Sequence, residues 1–146
     1  MSLDLEIDPT MQVASLNDIA RNIKGVSLET RESFPERVCS FDRTKNRIEI
    51  TFGTEKITFD STMVSSFELD PLTFGPHLLY SIVIEFAVDG IRVGGYRIIV
   101  GLPSSLPWLK DSLKRIGDVL GVAIIDSSYR SIPGFEEFRK AMGYES

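Results

Sequence analysis

Apolar and polar residues alternate along the middle of this chain, in short segments separated by turn-forming residues. In two successive segments the apolar residues fall at every second position: Ile48, Ile50, Phe52, Ile57 and Phe59. A period of two places such side chains on one face of a β-strand. Because the connections are too short for crossover helices, neighbouring strands are expected to pair antiparallel. The pattern predicts an antiparallel meander, or curled sheet, of about six strands.

Turn-forming residues define the later strands. Pro71 is expected to end a short strand. The longest strand is predicted over Leu79–Val88, and it leads into Asp89-Gly90, a dipeptide typical of a type I′ hairpin turn. The returning strand, Ile91–Val100, contains Gly94-Gly95, which indicates a bend, a bulge or the close approach of another backbone.

Helical periodicity predicts an amphipathic helix after the meander, with apolar residues three and four positions apart at Leu109, Leu113, Ile116 and Leu120. We expect this helix to close the open end of the curled sheet, and the run after it, Val122–Ile125, to be a buried extended segment. Flanking helices are predicted over residues 16–24 and near the C-terminus, each covering the outside of the sheet or a partner. Their apolar stripes are Leu16, Ile19 and Ile23, and Phe135, Phe138 and Met142.

The order of these elements over residues 38–121 resembles the pleckstrin-homology superfold in its bacterial form. The resemblance lies in the strands at 46–50 and 56–60, the Asp89-Gly90 hairpin, and the helix from Trp108 to Leu120. It implies an α+β fold in which an amphipathic helix caps an antiparallel sheet. Residues 1–37 and 122–146 would then be N- and C-terminal extensions within a single domain, 1–146. A general α+β sheet with helices packed on one side is the competing architecture.

The charge balance argues against some classes of function. Lys and Arg total 16 against 21 Asp and Glu, a formal net charge of −5, which disfavours non-specific binding of nucleic acid. No apolar run reaches the roughly 18–20 residues that cross a bilayer, and the N-terminus lacks the basic region of a signal peptide. We therefore expect a cytoplasmic protein without a transmembrane segment. The single cysteine, Cys39, lies in an apolar, strand-like context and is expected to be buried.

Three basic residues lie close together in the first predicted hairpin: Arg43, Lys45 and Arg47. The resemblance implies that a basic pattern at this position holds the phosphates of a lipid headgroup, through guanidinium and ammonium contacts. The alternative is a solvated hairpin whose charges keep the sheet edge soluble.

His77, in a predicted loop, and Trp108, at the start of the capping helix, are two further candidate ligand-binding residues. No nucleophile motif accompanies His77, so no catalytic residue is predicted. Asp4, Glu6 and Asp8 share one face of a predicted N-terminal strand, where carboxylates suit either a hard cation or a soluble sheet edge. We favour the soluble edge and predict neither a metal site nor a cofactor.

Together these observations predict a non-catalytic binding or interaction module. A protein partner is favoured over a lipid, and the apolar stripes of the flanking helices also suit a homodimer. The first alternative is a small-ligand-binding protein or small enzyme, with a cavity inside the curled sheet near His77 and Trp108. The second alternative is attachment to anionic lipid headgroups on a membrane surface through Arg43, Lys45 and Arg47.

Overall fold

The computed structural model describes residues 2–32, 35–130 and 132–143, and within these ranges the fold is α+β. The helices are α1 Leu16–Asn22, α2 Leu106–Leu120 and α3 Phe135–Ala141. The strands are β1 Ser2–Glu6, β2 Gln12–Val13, β3 Ser27–Thr30, β4 Val38–Thr44, β5 Arg47–Phe52, β6 Glu55–Asp60, β7 Val64–Phe74, β8 His77–Val88, β9 Ile91–Gly101 and β10 Ile124–Asp126.

These strands form two five-stranded, mostly antiparallel sheets. Sheet A has the order β1-β4-β5-β6-β3, and sheet B has the order β10-β7-β8-β9-β2. Strands β4 to β9 correspond to the six predicted segments, but the chain passes from sheet A to sheet B after β6, through a 3-10 turn at Ser61–Met63. The number of strands therefore exceeds the prediction, and β10 pairs with β7 in a parallel rather than antiparallel sense.

The core lies between the inner faces of the two sheets. Phe41 of sheet A meets Phe67 of sheet B edge to face, with ring centroids 6.2 Å apart, and Phe59 meets Phe86 in the same way at 5.2 Å. Aromatic rings prefer this geometry because the positive edge of one ring faces the negative face of the other. The two pairs therefore fix how the sheets sit on each other.

The helices α1 and α2 bury their apolar faces in this core. On α2 the predicted stripe is confirmed, since Leu109, Leu113, Ile116 and Leu120 are all buried, and Gly121 ends the helix with φ +63°. On α1 the residues Leu16, Ile19 and Ile23 belong to the same core cluster. The α1 stripe thus completes the core instead of covering the outside of a closed sheet.

The predicted hairpin at Asp89-Gly90 is confirmed. Both residues have positive φ, at +52° and +78°, as a type I′ turn requires. Two β-bulges follow on β9, where Val93 and Ile98 are the extra residues relative to β8. The bulge at Val93 lies next to Gly94-Gly95, where the sequence indicated one.

Strand β7 continues through Pro71, so the prediction that this proline ends the strand is wrong. Pro71 pairs in register with Tyr80 of β8, while on the other side of β7 the carbonyl of Leu69 accepts a hydrogen bond from the N–H of Ser127. Because the direction of the peptide groups alternates along a strand, the nitrogen of Pro71 points to the same side of β7 as the carbonyl of Leu69. Strand β10 lies on that side, but it ends at Asp126, which pairs with Leu69. A proline there removes no ladder hydrogen bond.

The segment after α2 is extended as predicted, but it is not buried. Ile124 and Ile125 of β10 are 40% and 44% exposed, because β10 lies at the edge of sheet B with β7 on one side only. The apolar stripe of α3 is also largely in solvent, with Phe138 at 41% and Met142 at 58% exposed. A short apolar run in the sequence therefore does not show whether its side chains are buried.

The assignment of β8 side chains to the core can be tested by truncation. Ile84 is fully buried, so Ile84→Ala should lower the free energy of unfolding by about 2–5 kcal/mol through lost burial and the cavity left behind. Val88→Ala, at an exposed position on the same strand, should change it by less than about 0.5 kcal/mol. Denaturant unfolding measures both, and similar effects of the two variants would contradict the assignment.

Candidate functional site

The basic turn between β4 and β5 is held in place by its own arginine. Arg43 donates hydrogen bonds to the carbonyl oxygen of Leu120, at the end of α2, and from Nε to the carbonyl oxygen of Lys45 at 3.2 Å. Its Nη2 lies 3.4 Å from the hydroxyl of Ser61. A cation at a helix C-terminus satisfies carbonyl groups that have no partner within the helix. Arg43 is therefore a link between sheet A and α2.

Arg47 projects from the other face of sheet A. Arg43 pairs in register with the buried Ile48, whereas Arg47 pairs with Asp60. Hydrogen bonds from Thr62 lower the pKa of Asp60, and the charge of Arg47 lowers it further. The three basic residues are thus not gathered around one phosphate-sized space, and this geometry lends no support to a headgroup site.

The other two candidate residues lie on different elements. His77 is exposed at the first position of β8, opposite Phe74 in the hairpin. Trp108 is half-buried near the start of α2 and packs against the core. Because apolar side chains fill the space between the sheets, a ligand cavity there, near both residues, gains no support.

Residues that could carry acid–base or metal chemistry are scattered. Cys39 is fully buried, as expected, and burial raises the pKa of its thiol to about 12, so the reactive thiolate is scarce at neutral pH. Asp4 and Glu6 are exposed on β1, at the edge of sheet A. Within the described ranges, no three His, Cys, Asp or Glu residues are grouped so that they could hold a metal ion. No helix found there is long and apolar enough to cross a membrane.

Two acidic side chains lie side by side on the outer face of sheet B, the face turned away from sheet A. Glu68 accepts a hydrogen bond of 2.7 Å from the hydroxyl of Ser127. Burial first, and then the charge and hydrogen bond of Glu68, raise the pKa of Asp70 to about 6, against the opposing charges of Arg130 and Arg97. Asp70 therefore takes up a proton at mildly acid pH.

A surface groove adjoins this pair on the same face. Asp70 is followed across the sheet, in register, by Ser81, Val100 and Gln12. Ser81 is fully buried, and its hydroxyl has no hydrogen-bond partner among the described residues. The groove encloses about 280 Å³ and is lined by Thr10, Gln12, Phe74, Leu79, Val100, Gly101 and Leu102.

The outer edge of β9 is mostly unpaired. The strand has eleven residues, but β2 pairs with Ile99 and Val100 alone, and the carbonyl of Ile98 accepts a hydrogen bond from Ala14 N–H at 3.0 Å. In the part of the chain that the structure describes, no strand pairs with this edge between Ile91 and Arg97. In this stretch Gly95 and Arg97 are exposed, Gly94 and Tyr96 are partly buried, and the side chain of Ile23 lies close to Gly94.

The hairpin geometry shows which peptide groups of β9 face outward. A two-residue turn makes Val88 and Ile91 a hydrogen-bonded pair, and alternation from that pair along the register leaves the N–H and C=O groups of Gly95 and Arg97 pointing away from β8. The same alternation turns Val100 outward, at the position where β2 does pair. Residues 94–97 form a regular stretch of strand between the two bulges, and we call this stretch the accessible edge.

An ion pair between Arg92 and Glu85 lies beside this edge. Glu85 accepts a 2.7 Å hydrogen bond from Arg92 Nε and a 3.3 Å contact from Arg92 Nη2. A Cβ at Gly95 would lie 2.8 Å from Glu85 Oε1, so the glycine leaves room for this carboxylate. Arg92, Gly95 and Arg97 follow one another along the outer face.

Neither the carboxyl pair nor the β9 edge is predicted by the sequence. Glu68 and Asp70 are two residues apart on a strand, which in sequence is also the pattern of a solvated face. The signal for the edge was Gly94-Gly95, which indicated a bulge or a close backbone approach. Sequence could not show that β2 covers two residues of β9 only, because that depends on where a two-residue strand pairs.

The structural role of Arg43 predicts a stability effect that its neighbour does not share. Arg43→Ala should lower the free energy of unfolding by about 1–2 kcal/mol, because carbonyl groups at the end of α2 lose their donor. Arg47→Ala, at an exposed position on the opposite face, should cost less than about 0.5 kcal/mol. Equal losses in thermal or denaturant unfolding would show that Arg43 does not link α2 to the sheet.

The raised pKa of Asp70 predicts how stability depends on pH. The folded chain binds the proton of Asp70 more tightly than the unfolded chain does. The stabilisation of the folded chain that results is present below about pH 4 and is lost as the pH rises to about 6. Asp70→Asn should therefore be more stable than the wild type at pH 7, by about 1 kcal/mol after solvent screening of a half-buried group.

Asp60→Asn is a control variant for which we expect the opposite change in stability at pH 7. The lowered pKa of Asp60 stabilises the folded chain above the ordinary carboxyl pKa, so this variant should be less stable than the wild type at pH 7. Thermal unfolding from about pH 4 to about pH 7 compares them. If Asp70→Asn has the pH dependence of the wild type, the pKa of Asp70 is not raised in the folded chain.

Comparison of this chain with models of protein families, with curated proteins and with solved structures finds no match.

Proposed function

We propose that this chain is a non-catalytic interaction module that binds a protein partner by adding an extended segment of that partner to the outer edge of β9. We also propose that its architecture is pleckstrin-homology-like, with β4 to β9 as the strands and α2 as the capping helix. The order of these elements and the buried stripe of α2 support the architecture.

The stretch of β9 that pairs with no described strand on its outer side is the observation that carries the functional proposal. An unpaired strand edge presents N–H and C=O groups in the spacing of a strand, and an extended polypeptide is the ligand that matches it. Gly94 and Gly95 add no bulk to the accessible edge. Elsewhere in sheet B the edge of β7 is covered in part by β10, whereas β2 covers only the far end of β9.

Apolar side chains at the hairpin end of β9 supply contact area for such a segment. Ile91 is 70% exposed and Val93 is 48% exposed, and Val88 lies opposite Ile91 in the hairpin. Main-chain hydrogen bonds give strand addition its affinity, and alternate side chains give it specificity. An edge with both features suits a protein partner better than a small molecule.

The two alternatives have less support. A headgroup site requires Arg43, which is bonded to the end of α2. A small ligand would have to occupy a surface groove such as the one beside Phe74, because the space between the sheets is filled. Both remain predictions of the sequence.

Strand addition can be tested with a fluorescent peptide of about nine Thr and Val residues. Fluorescence anisotropy should show binding to the wild type. Methylation of two adjacent central amides blocks both edges of the peptide and should weaken binding by about tenfold or more. A matched peptide with the same two methyl groups on side chains should bind as the parent does. Equal binding by all three peptides would rule out strand addition.

Variants of the protein locate the binding edge. Arg97→Pro removes an outward N–H at a position where an edge strand tolerates proline, whereas Arg97→Ala removes the same side chain and keeps the N–H. The proline variant should lose about tenfold more affinity than the alanine variant. In the wild type, hydrogen exchange at the Gly95 and Arg97 amides should slow when the peptide binds. Unchanged exchange at both amides would exclude the β9 edge.

A further inference from the structure

Residues 124–130, which we call the docked segment, attach to the edge of β7 beside the carboxyl pair. The main-chain N–H of Ser127 donates to the carbonyl oxygen of Leu69 at 2.9 Å, and its hydroxyl donates to Glu68 Oε1 at 2.7 Å. The register of β10 on β7, continued by one residue, places Ser127 next to Asp70. Because Ser127 is 1% exposed, this attachment is shielded from water.

The carboxyl pair has the arrangement of two carboxyl groups that hold one proton. Glu68 and Asp70 lie two residues apart on the outer face of β7, and their side chains are hydrogen-bonded to each other. A hydrogen bond between two carboxyl groups needs a proton on one of them. Asp70 supplies it, because the hydroxyl of Ser127 stabilises the charged form of Glu68. Glu68 then accepts hydrogen bonds from both of its neighbours.

Ser81 is an alternative partner for Asp70 after the proton is lost. Two adjacent carboxylates repel each other, so an ionised Asp70 is driven away from Glu68. Ser81 lies directly opposite Asp70 on β8, which puts their Cβ atoms about 4.5–5.5 Å apart on the same face. Ser81 is fully buried, and its hydroxyl has no hydrogen-bond partner among the described residues. A carboxylate that turns towards β8 therefore gains a donor.

The other charged groups around the carboxyl pair do not reverse this behaviour. Arg97 on β9 and Arg130 in the docked segment favour loss of the proton, but both are exposed, and solvent screens exposed charges. On β8, Glu85 is paired with Arg92, and in the docked segment Asp126 accepts hydrogen bonds from its own turn. Burial outweighs these charges, since the proton is held up to about pH 6.

We propose that Asp70 is a proton-controlled switch, bonded to Glu68 when it is protonated and to Ser81 when it is ionised. The protonated arrangement holds the docked segment more firmly on β7. When Asp70 turns to Ser81, water takes its place beside Glu68 and competes for the hydroxyl of Ser127. The attachment of the docked segment therefore weakens as the pH rises through about 6.

This switch is independent of the proposed function. The docked segment and β9 lie on opposite sides of the β7–β8 pair, because the order of sheet B is β10-β7-β8-β9-β2. Strand addition to β9 can therefore fail while the switch stands, and the reverse is equally possible.

The two partners of Asp70 can be identified by following its side-chain carboxyl carbon by NMR as the pH is raised. Ser81→Ala removes the donor to the ionised form, so the midpoint of the Asp70 titration should lie about 0.5–1 pH unit higher than in the wild type. Ser66→Ala changes another buried serine on the outer face of sheet B, four residues from Asp70, and should leave the midpoint unchanged. An unchanged midpoint in Ser81→Ala would overturn the proposal.

Hydrogen exchange measures how firmly the docked segment is held. After correction for the pH dependence of chemical exchange, opening at the Ser127 amide should be about threefold or more greater at about pH 7.5 than at about pH 5. Asp70→Asn keeps an N–H donor for Glu68 and carries no charge, so this variant should show little opening at either pH. The Arg31 amide, which donates to Thr54 beside sheet A, is the control and should open equally at both.

Three results would contradict the switch. If the Ser127 and Arg31 amides change together with pH, the cause is not local to Asp70. If Asp70→Asn keeps the pH dependence of the wild type, the proton does not control the docked segment. If opening at Ser127 decreases as the pH rises, attraction between Arg130 and the ionised Asp70 dominates and the proposed direction is wrong.

Discussion

The packing of sheet A on sheet B through two edge-to-face aromatic pairs is the contact on which the rest of the structure depends. This packing buries the inner face of each sheet, so a ligand at the surface cannot contact Phe41, Phe59, Phe67 or Phe86. The helices α1 and α2 complete the enclosure with their apolar stripes. The surfaces outside this core, which include the outer faces of both sheets and the strand edges, are the parts of the chain that a partner could reach.

The arginines of this chain serve two different purposes, which their sequence context does not reveal. Arg43 and Arg37 bind backbone carbonyl groups, the first at the end of α2 and the second at Asp8 and Met11. Arg92 and Arg97 lie at exposed positions on the outer face of β9, where Arg92 is paired with Glu85. An arginine bound to carbonyl groups inside the fold contributes to stability, whereas an exposed surface ion pair contributes little.

Local pattern predicted most of the secondary structure and little of its assembly. The alternation of Ile48 and Ile50, the stripe of α2 and the turn at Asp89-Gly90 each follow from a few neighbouring residues, and each is present. The passage from sheet A to sheet B, the parallel pairing of β10 and the continuation through Pro71 depend on contacts between distant residues. The candidate site could not be predicted for the same reason. A basic triplet is visible in the sequence, whereas the length of β9 that lacks a strand partner depends on where β2 pairs.

The two bulges of β9 have a consequence for how the chain behaves at high concentration. They limit the flat part of the edge to residues 94–97, and each bulge increases the local twist of the strand. A short, twisted edge offers little flat backbone on which copies of a chain can stack. We therefore expect the two bulges of β9 to disfavour polymerisation of this chain into fibrils.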